Sequence, residues 1–187
     1  MTSVFLLVGP PAVGKSTTSR ALAAHYPRSL HIPLDDLRMM VVSGLALPSV
    51  EWSAALTEQV RLARSTATQM ALAYRQAGFA VVIDDFWDAN LTADYAPLFD
   101  QVPVQKVVLY PAQEEAHRRN LRRSGDSPAR AYIDEGIREV YWQINPLLAQ
   151  LTAEGWLILD TTHLSVEATV STLVQVGDAL GLGSVKE

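Results

Sequence analysis

Gly9-Pro10-Pro11-Ala12-Val13-Gly14-Lys15-Ser16 follows the apolar run Val4-Phe5-Leu6-Leu7-Val8 and leads into a helical pattern from Ser16 to about His25. A glycine, four residues and then Gly-Lys-Ser, set between a buried strand and a helix, is the signature of a phosphate-binding loop. The glycines at its ends let the backbone turn so that several N–H groups point inward at β- and γ-phosphates, and the helix adds its N-terminal dipole. Lys15 brings a full positive charge, and the Ser16 hydroxyl is placed as a direct Mg²⁺ ligand. The expected nucleotide-binding set is Gly9, Pro10, Pro11, Ala12, Val13, Gly14, Lys15, Ser16 and Thr17. A glycine-containing turn with a merely solvated lysine has the same composition, but the strand before it and the helix after it argue for phosphate.

The rest of the chain narrows the setting. Its 187 residues, 49% hydrophobic, suit one domain spanning 1–187 with a sizeable core. A net charge of −5 disfavours a dedicated nucleic-acid surface, which needs a broad basic footprint. The absence of cysteine excludes disulfides and thiolate metal sites and fits a cytoplasmic protein. The first apolar run meets Gly-Pro-Pro within a few residues, too soon for a signal peptide or a membrane span.

Beyond the loop, Pro27 ends the first helix and Ser29–Leu34 reads as a strand that closes on Asp35-Asp36. Ligands of open α/β sheets bind at this strand edge, so one carboxylate is expected to face a ligand and the other to cap a helix starting at Leu37. The stretch 37–48, apolar but broken by Gly44 and Pro48, reads as a short helix and a loop. A long helix is expected from Glu51 to Ala77, with Trp52, Leu56, Val60, Ala63, Ala67, Met70 and Tyr74 on its core face and Gly78 at its C-terminal cap. Phe79–Ile83 is too continuously apolar for an exposed edge, and it ends in Asp84-Asp85, a Walker B pattern in which Asp84 holds Mg²⁺.

Helices from Thr92 to Phe99 and from Gln113 to Arg123 flank a fourth strand, Val104–Tyr110. The second of these carries Arg118, Arg119, Arg122 and Arg123. Glu114 and Glu115 stand four residues before the first two, which leaves Arg122 and Arg123 unpaired and their planar donor forks open to phosphate oxygens. A helix from Ala129 to Gln150 is expected to break at Pro146, followed by a fifth strand, Trp156–Asp160, and a last helix from Ser165 to about Leu180. His25, His31, His117 and His163 have no metal-site spacing and read as surface or satisfied core residues. Strands alternating with helices throughout imply a parallel sheet covered on both faces.

With the closing Leu159-Asp160-Thr161-Thr162, these motifs make the chain resemble the P-loop kinase group of the P-loop NTPases. Within that group it is similar to the small phosphotransferases that include chloramphenicol phosphotransferase, gluconate kinase and the zeta toxins, over almost its whole length. The resemblance implies a single-domain α/β fold, a five-stranded parallel sheet flanked by helices, an arginine-bearing lid at about 113–130, and use of ATP with Mg²⁺. It also implies catalytic roles for Lys15 on the phosphates, for Asp35 facing the acceptor hydroxyl, and for Arg119, Arg122 or Arg123 in the lid. The expected reaction moves the γ-phosphoryl group to a hydroxyl of a small molecule, whether antibiotic, nucleoside or sugar-like, largely by positioning and charge neutralisation.

Asp36, Arg38, Asp85 and Trp87 are the expected acceptor contacts, and Met39, Met40, Val41, Phe86 and Trp87 suit a partly hydrophobic ring better than a sugar phosphate. Other activities fit the same loop. A polynucleotide 5′-hydroxyl kinase is disfavoured by the acidic balance, and a toxin-like kinase would act on a cell-wall sugar nucleotide. A nucleotide-dependent ATPase switch would hydrolyse without an acceptor. Gly-Pro-Pro-x-x-Gly-Lys-Ser also occurs in larger ring ATPases, whose helical C-terminal domain is expected not to fit after the fifth strand.

Overall fold

The computed structural model describes residues 3–47 and 52–179. In chain order they form β1 (Val4–Val8), α1 (Lys15–Ala24), β2 (Ser29–Pro33), α2 (Leu34–Met39), α3 (Ala54–Gln76), β3 (Ala80–Asp84), α4 (Leu91–Phe99), β4 (Gln105–Leu109), α5 (Gln113–Ser124), α6 (Ala129–Ile144), α7 (Leu148–Ala153), β5 (Leu157–Leu159) and α8 (Val166–Ala179). Their strands make one five-stranded sheet in the order β2-β3-β1-β4-β5, parallel at every pairing. The helices cover both faces, as a parallel sheet requires.

Strand β1 shows why this sheet forms. All five of its side chains are fully buried, and successive residues alternate between faces. Val4, Leu6 and Val8 enter the cluster shared with α3, α4 and the 144–151 region, while Phe5 and Leu7 enter the cluster shared with α1, α6 and α8. Burying one such Leu or Phe is worth about 1.5–3 kcal/mol, so the continuous apolar run holds the central position. That position sets the phosphate loop at the middle of the C-terminal edge, with the ends of β3 and β4 on either side.

Several local expectations shift. Helix α2 begins at Leu34 rather than Leu37, so Asp35 and Asp36 lie in its first turn and neither caps it; Pro33 holds that position without a side-chain hydrogen bond. Both carboxylates instead face the positive end of the helix dipole. Helix α3 begins at Ala54 because Ser53 Oγ accepts from Leu56 N at 3.1 Å. Trp52 precedes the helix and is 44% exposed, and Tyr74 is 40% exposed, so neither joins the core stripe. The expected start at Glu51, the loop end at Pro48 and the last-helix end at Leu180 lie outside the described residues. Pro146 does break its helix, in a 3-10 turn over Asn145–Leu147. None of the described helices is long and apolar enough to cross a membrane.

Candidate functional site

The loop from Gly9 to Gly14 takes three residues into positive φ: Gly9 at 146°, Ala12 at 62° and Gly14 at 96°. Gly9 has a packing reason as well. A Cβ there would lie 2.5 Å from the Leu109 carbonyl oxygen at the end of β4, so only glycine lets the loop cross that strand. Gly9→Ala is expected to destabilise the fold by about 1–3 kcal/mol through the strained conformation and the close approach, and to weaken ADP binding. Denaturant unfolding and ADP titration check this, and an unchanged midpoint would refute it.

Lys15 opens α1 and folds back over the loop, its Nζ donating to Gly9 O at 3.1 Å and Pro10 O at 2.9 Å. Burial lowers its pKa, against the pull of Asp84, Asp35 and Asp85. Asp35 lies in the first turn of α2, just past the end of β2, and Asp84 and Asp85 lie at the end of β3, beside which the β2 register sets Pro33. Ser16 Oγ donates to Asp84 Oδ1 at 3.1 Å. A hydroxyl and a carboxylate within reach of one another are hard oxygen donors, the kind Mg²⁺ takes in ones and twos alongside phosphates and water. Ser16 and Thr17 are both exposed at the start of α1, whereas Val13 is buried under the loop.

Asp84 has a second partner that sequence reasoning missed. His31 Nε2 lies 2.5 Å from Asp84 Oδ2. Pairing of β2 with β3 sets Pro33 opposite Asp84, and His31, two residues earlier, shares Pro33's face. A polar residue two positions before the end of that strand was the available signal, legible only once β2 and β3 are known to be neighbours.

Asp85 and Trp87, expected to meet an acceptor, are instead buried against other parts of the protein. Asp85 is 2% exposed, accepting from Arg64 Nε at 2.8 Å and from Phe86 N at 2.7 Å. Burial pushes its pKa up to about 6, against the pull of Arg64. Trp87 is 7% exposed and meets Trp156 edge-on at 6.0 Å inside the core. A loop leaving a central strand must turn one flank inward, and here that flank carries the indole. Asp36 is exposed, while Arg38 is 7% exposed and pairs with Asp35 at 3.5 Å.

Arg64 is the other residue missed. It is wholly buried, with Nη2 2.6 Å from Asp88 and Nη1 3.0 Å from Asp94 in addition to Asp85. Burial opposes its charge, yet Asp85 and Asp88 more than restore it and hold the pKa above the ordinary arginine value. Its spacing from Val60 and Ala67 puts it on the apolar face of α3, which was the signal.

The arginines of α5 separate into distinct roles. Glu115 binds Arg118 at 2.6 Å, Arg119 at 2.8 Å and also Arg122 at 3.1 Å, so Arg122 is paired, contrary to the expectation from spacing. Hydrogen bonding to Arg119 comes first among the causes that hold Glu115 below the usual carboxylate range. Arg119 also donates to Val13 O at 2.9 Å and Thr161 O at 2.7 Å, tying the phosphate loop to the end of β5. Arg123 is exposed, and its charge contributes to lowering the Lys15 pKa. Asn120 locks α5 to α6 by donating to Arg130 O at 3.1 Å and Asp134 Oδ1 at 2.9 Å. Helix α6 rests on the loop at Gly136, where an added Cβ would come 3.4 Å from Pro11.

A search of curated proteins finds no match to the sequence. Among solved structures, shikimate kinase from Acinetobacter baumannii in complex with shikimate is similar at TM-score 0.65 and 19% identity, covering 97% of this chain and 96% of that one. The tunicamycin resistance protein of Deinococcus radiodurans aligns at TM-score 0.64 and 18% identity over 100% of both chains. Thymidylate kinase from Candida albicans aligns at 0.64 and 14% identity, over 100% of this chain and 96% of that one. At such identities the likeness is one of fold: a parallel sheet flanked by helices with a phosphate loop after its first strand. The family described as an AAA domain matches residues 4–141, from the first residue of β1 to well inside α6. By that match the chain belongs to the AAA domain family, and its fold is the one these solved structures share.

Proposed function

We propose that the protein is an ATP-dependent phosphotransferase that moves the γ-phosphoryl group to a hydroxyl of a small molecule. The observation that carries this reading is the meeting, at one sheet edge, of Lys15, the Ser16–Asp84 pair and the exposed carboxylate of Asp35. Lys15 exchanges its two carbonyl partners for β- and γ-phosphate oxygens, while the loop N–H groups hold the remaining phosphate charge. Ser16 and Asp84 are the residues that would hold Mg²⁺, which when bound neutralises phosphate charge. Asp35, whose side chain is 76% exposed, accepts or orients the proton of the acceptor hydroxyl. Arg123, which makes no ion pair among the described residues, supplies positive charge from α5 to the transferring group. Phosphoryl transfer asks for this kind of placement more than for covalent chemistry.

Asp35→Asn tests the assignment. Removing a general base costs about 10²–10⁴-fold in rate, so acceptor-dependent ADP release should fall by that order while ATP binding, measured by titration, stays within about twofold. Near-normal turnover in the variant would remove Asp35 from the reaction.

A further inference from the structure

We infer that the acceptor is an alcohol with an apolar body and no anionic group, an inference that rests on the phosphotransferase reading above. It starts from the surface beside Asp35. Met39 is 64% exposed, Met40 70%, Val42 97%, Leu47 67% and Trp52 44%. Large apolar side chains scattered singly over a surface need no explanation, but a cluster beside a reactive carboxylate marks a binding face.

Contacts join this cluster to Asp35. Arg38 pairs with Asp35 at 3.5 Å, donates to Ala46 O at 3.2 Å and stands over the Phe86 ring at 5.8 Å. Phe86 in turn meets Trp52 edge-on at 5.9 Å. Gln59 of α3 pins the intervening loop, donating to Gly44 O at 2.7 Å and accepting from Ala46 N at 2.9 Å. Asp35, Ala46 and Phe86 thus meet one buried guanidinium, with Trp52 packed in turn against Phe86.

Charge completes the argument. The two arginines that touch this face are Arg38, paired with Asp35, and Arg64, committed to Asp85, Asp88 and Asp94. Arg61 lies about 160° around α3 from the Gln59 flank that holds the loop, by helix geometry. With Lys15 and Arg123 assigned to the nucleotide, an acceptor bearing a carboxylate or phosphate would meet exposed Asp35 and Asp36 with no unpaired cation left for it among the described residues of this face, and like charges repel. A neutral acceptor asks for no such cation, and its apolar atoms can cover exposed Met40, Leu47 and Trp52.

The experiment divides a deproteinised low-molecular-weight cell extract by anion exchange at pH 7 and the unbound part by reverse-phase retention. Each fraction is incubated with the full chain and Mg-[γ-³²P]ATP, with Lys15→Ala as the blank. Label should enter the unbound, reverse-phase-retained fraction. Label in the anion-exchange-bound fraction would overturn the inference and leave the phosphotransferase reading standing. Label in no fraction would remove the reading itself and the inference with it. Met40→Asp and Leu47→Asp, both at exposed positions, then probe the face. Each should raise the KM for the labelled acceptor at least tenfold with the KM for ATP unchanged, and an unchanged acceptor KM would overturn the assignment.

Discussion

Lys15→Ala is expected to lower ATP turnover about 10³-fold, or roughly 4 kcal/mol of transition-state stabilisation at 1.36 kcal/mol per tenfold. The ammonium is the one full positive charge that the loop itself contributes, and it sits partly buried where its interactions with phosphate are poorly screened. Its present partners, the carbonyls of Gly9 and Pro10, keep it folded over the loop at 3.1 and 2.9 Å. Little reorganisation is then needed to deliver it, which is how a preorganised charge outperforms a solvated one. Burial also lowers its pKa, but Asp84, Asp35 and Asp85 act to keep the charge in place. Because only methylenes and a partly desolvated charge are lost, the thermal midpoint should move by no more than about 3 °C, the shift of roughly 1 kcal/mol at this size. Steady-state ADP release and a thermal melt check both halves. Unchanged turnover would take away the foundation of the functional reading.

Arg64→Met should produce the largest loss of stability. Removing one member of a buried ion pair costs about 3–5 kcal/mol because the partner's charge is left without compensation. Here one guanidinium serves Asp85, Asp88 and Asp94 at 2.8, 2.6 and 3.0 Å. At about 2–4 °C per kcal/mol for a chain of this size, the midpoint should fall by about 6–20 °C. Arg64→Lys keeps the charge but has no planar fork to span three carboxylates, so it should fall between wild type and Arg64→Met. Thermal melts of all three rank them. A lysine variant as stable as wild type would show that charge alone, without the fork, organises the loop after β3.

Much of the phosphate-loop edge of the sheet was legible before any coordinates. The phosphate loop is a local signal: its spacing, the strand before it and the helix after it lie within about twenty residues of one another, and no distant partner is needed to read them. The parallel sheet was legible for a similar reason, since β1 and β3 are apolar on both faces and only a doubly covered position accommodates that. The acceptor side was harder. Asp84 and Asp85 are chemically identical neighbours, yet one faces the phosphate loop and the other points at Arg64 of α3. Likewise Glu115 reaches two turns along its helix to Arg122, beyond the spacing from which pairing was counted.

Read alone, the chain specifies a phosphate-loop pattern: the loop, its lysine, its hydroxyl and the carboxylate at the end of β3 are set by short-range pattern and backbone chemistry. The fold settled which residues those groups meet. His31 beside Asp84, Arg64 among three carboxylates, Arg119 beneath the loop and Trp87 turned into the core all join positions distant in sequence. Such contacts depend on strand order and helix packing, and hydrophobic periodicity marks which face is buried without stating what it is buried against.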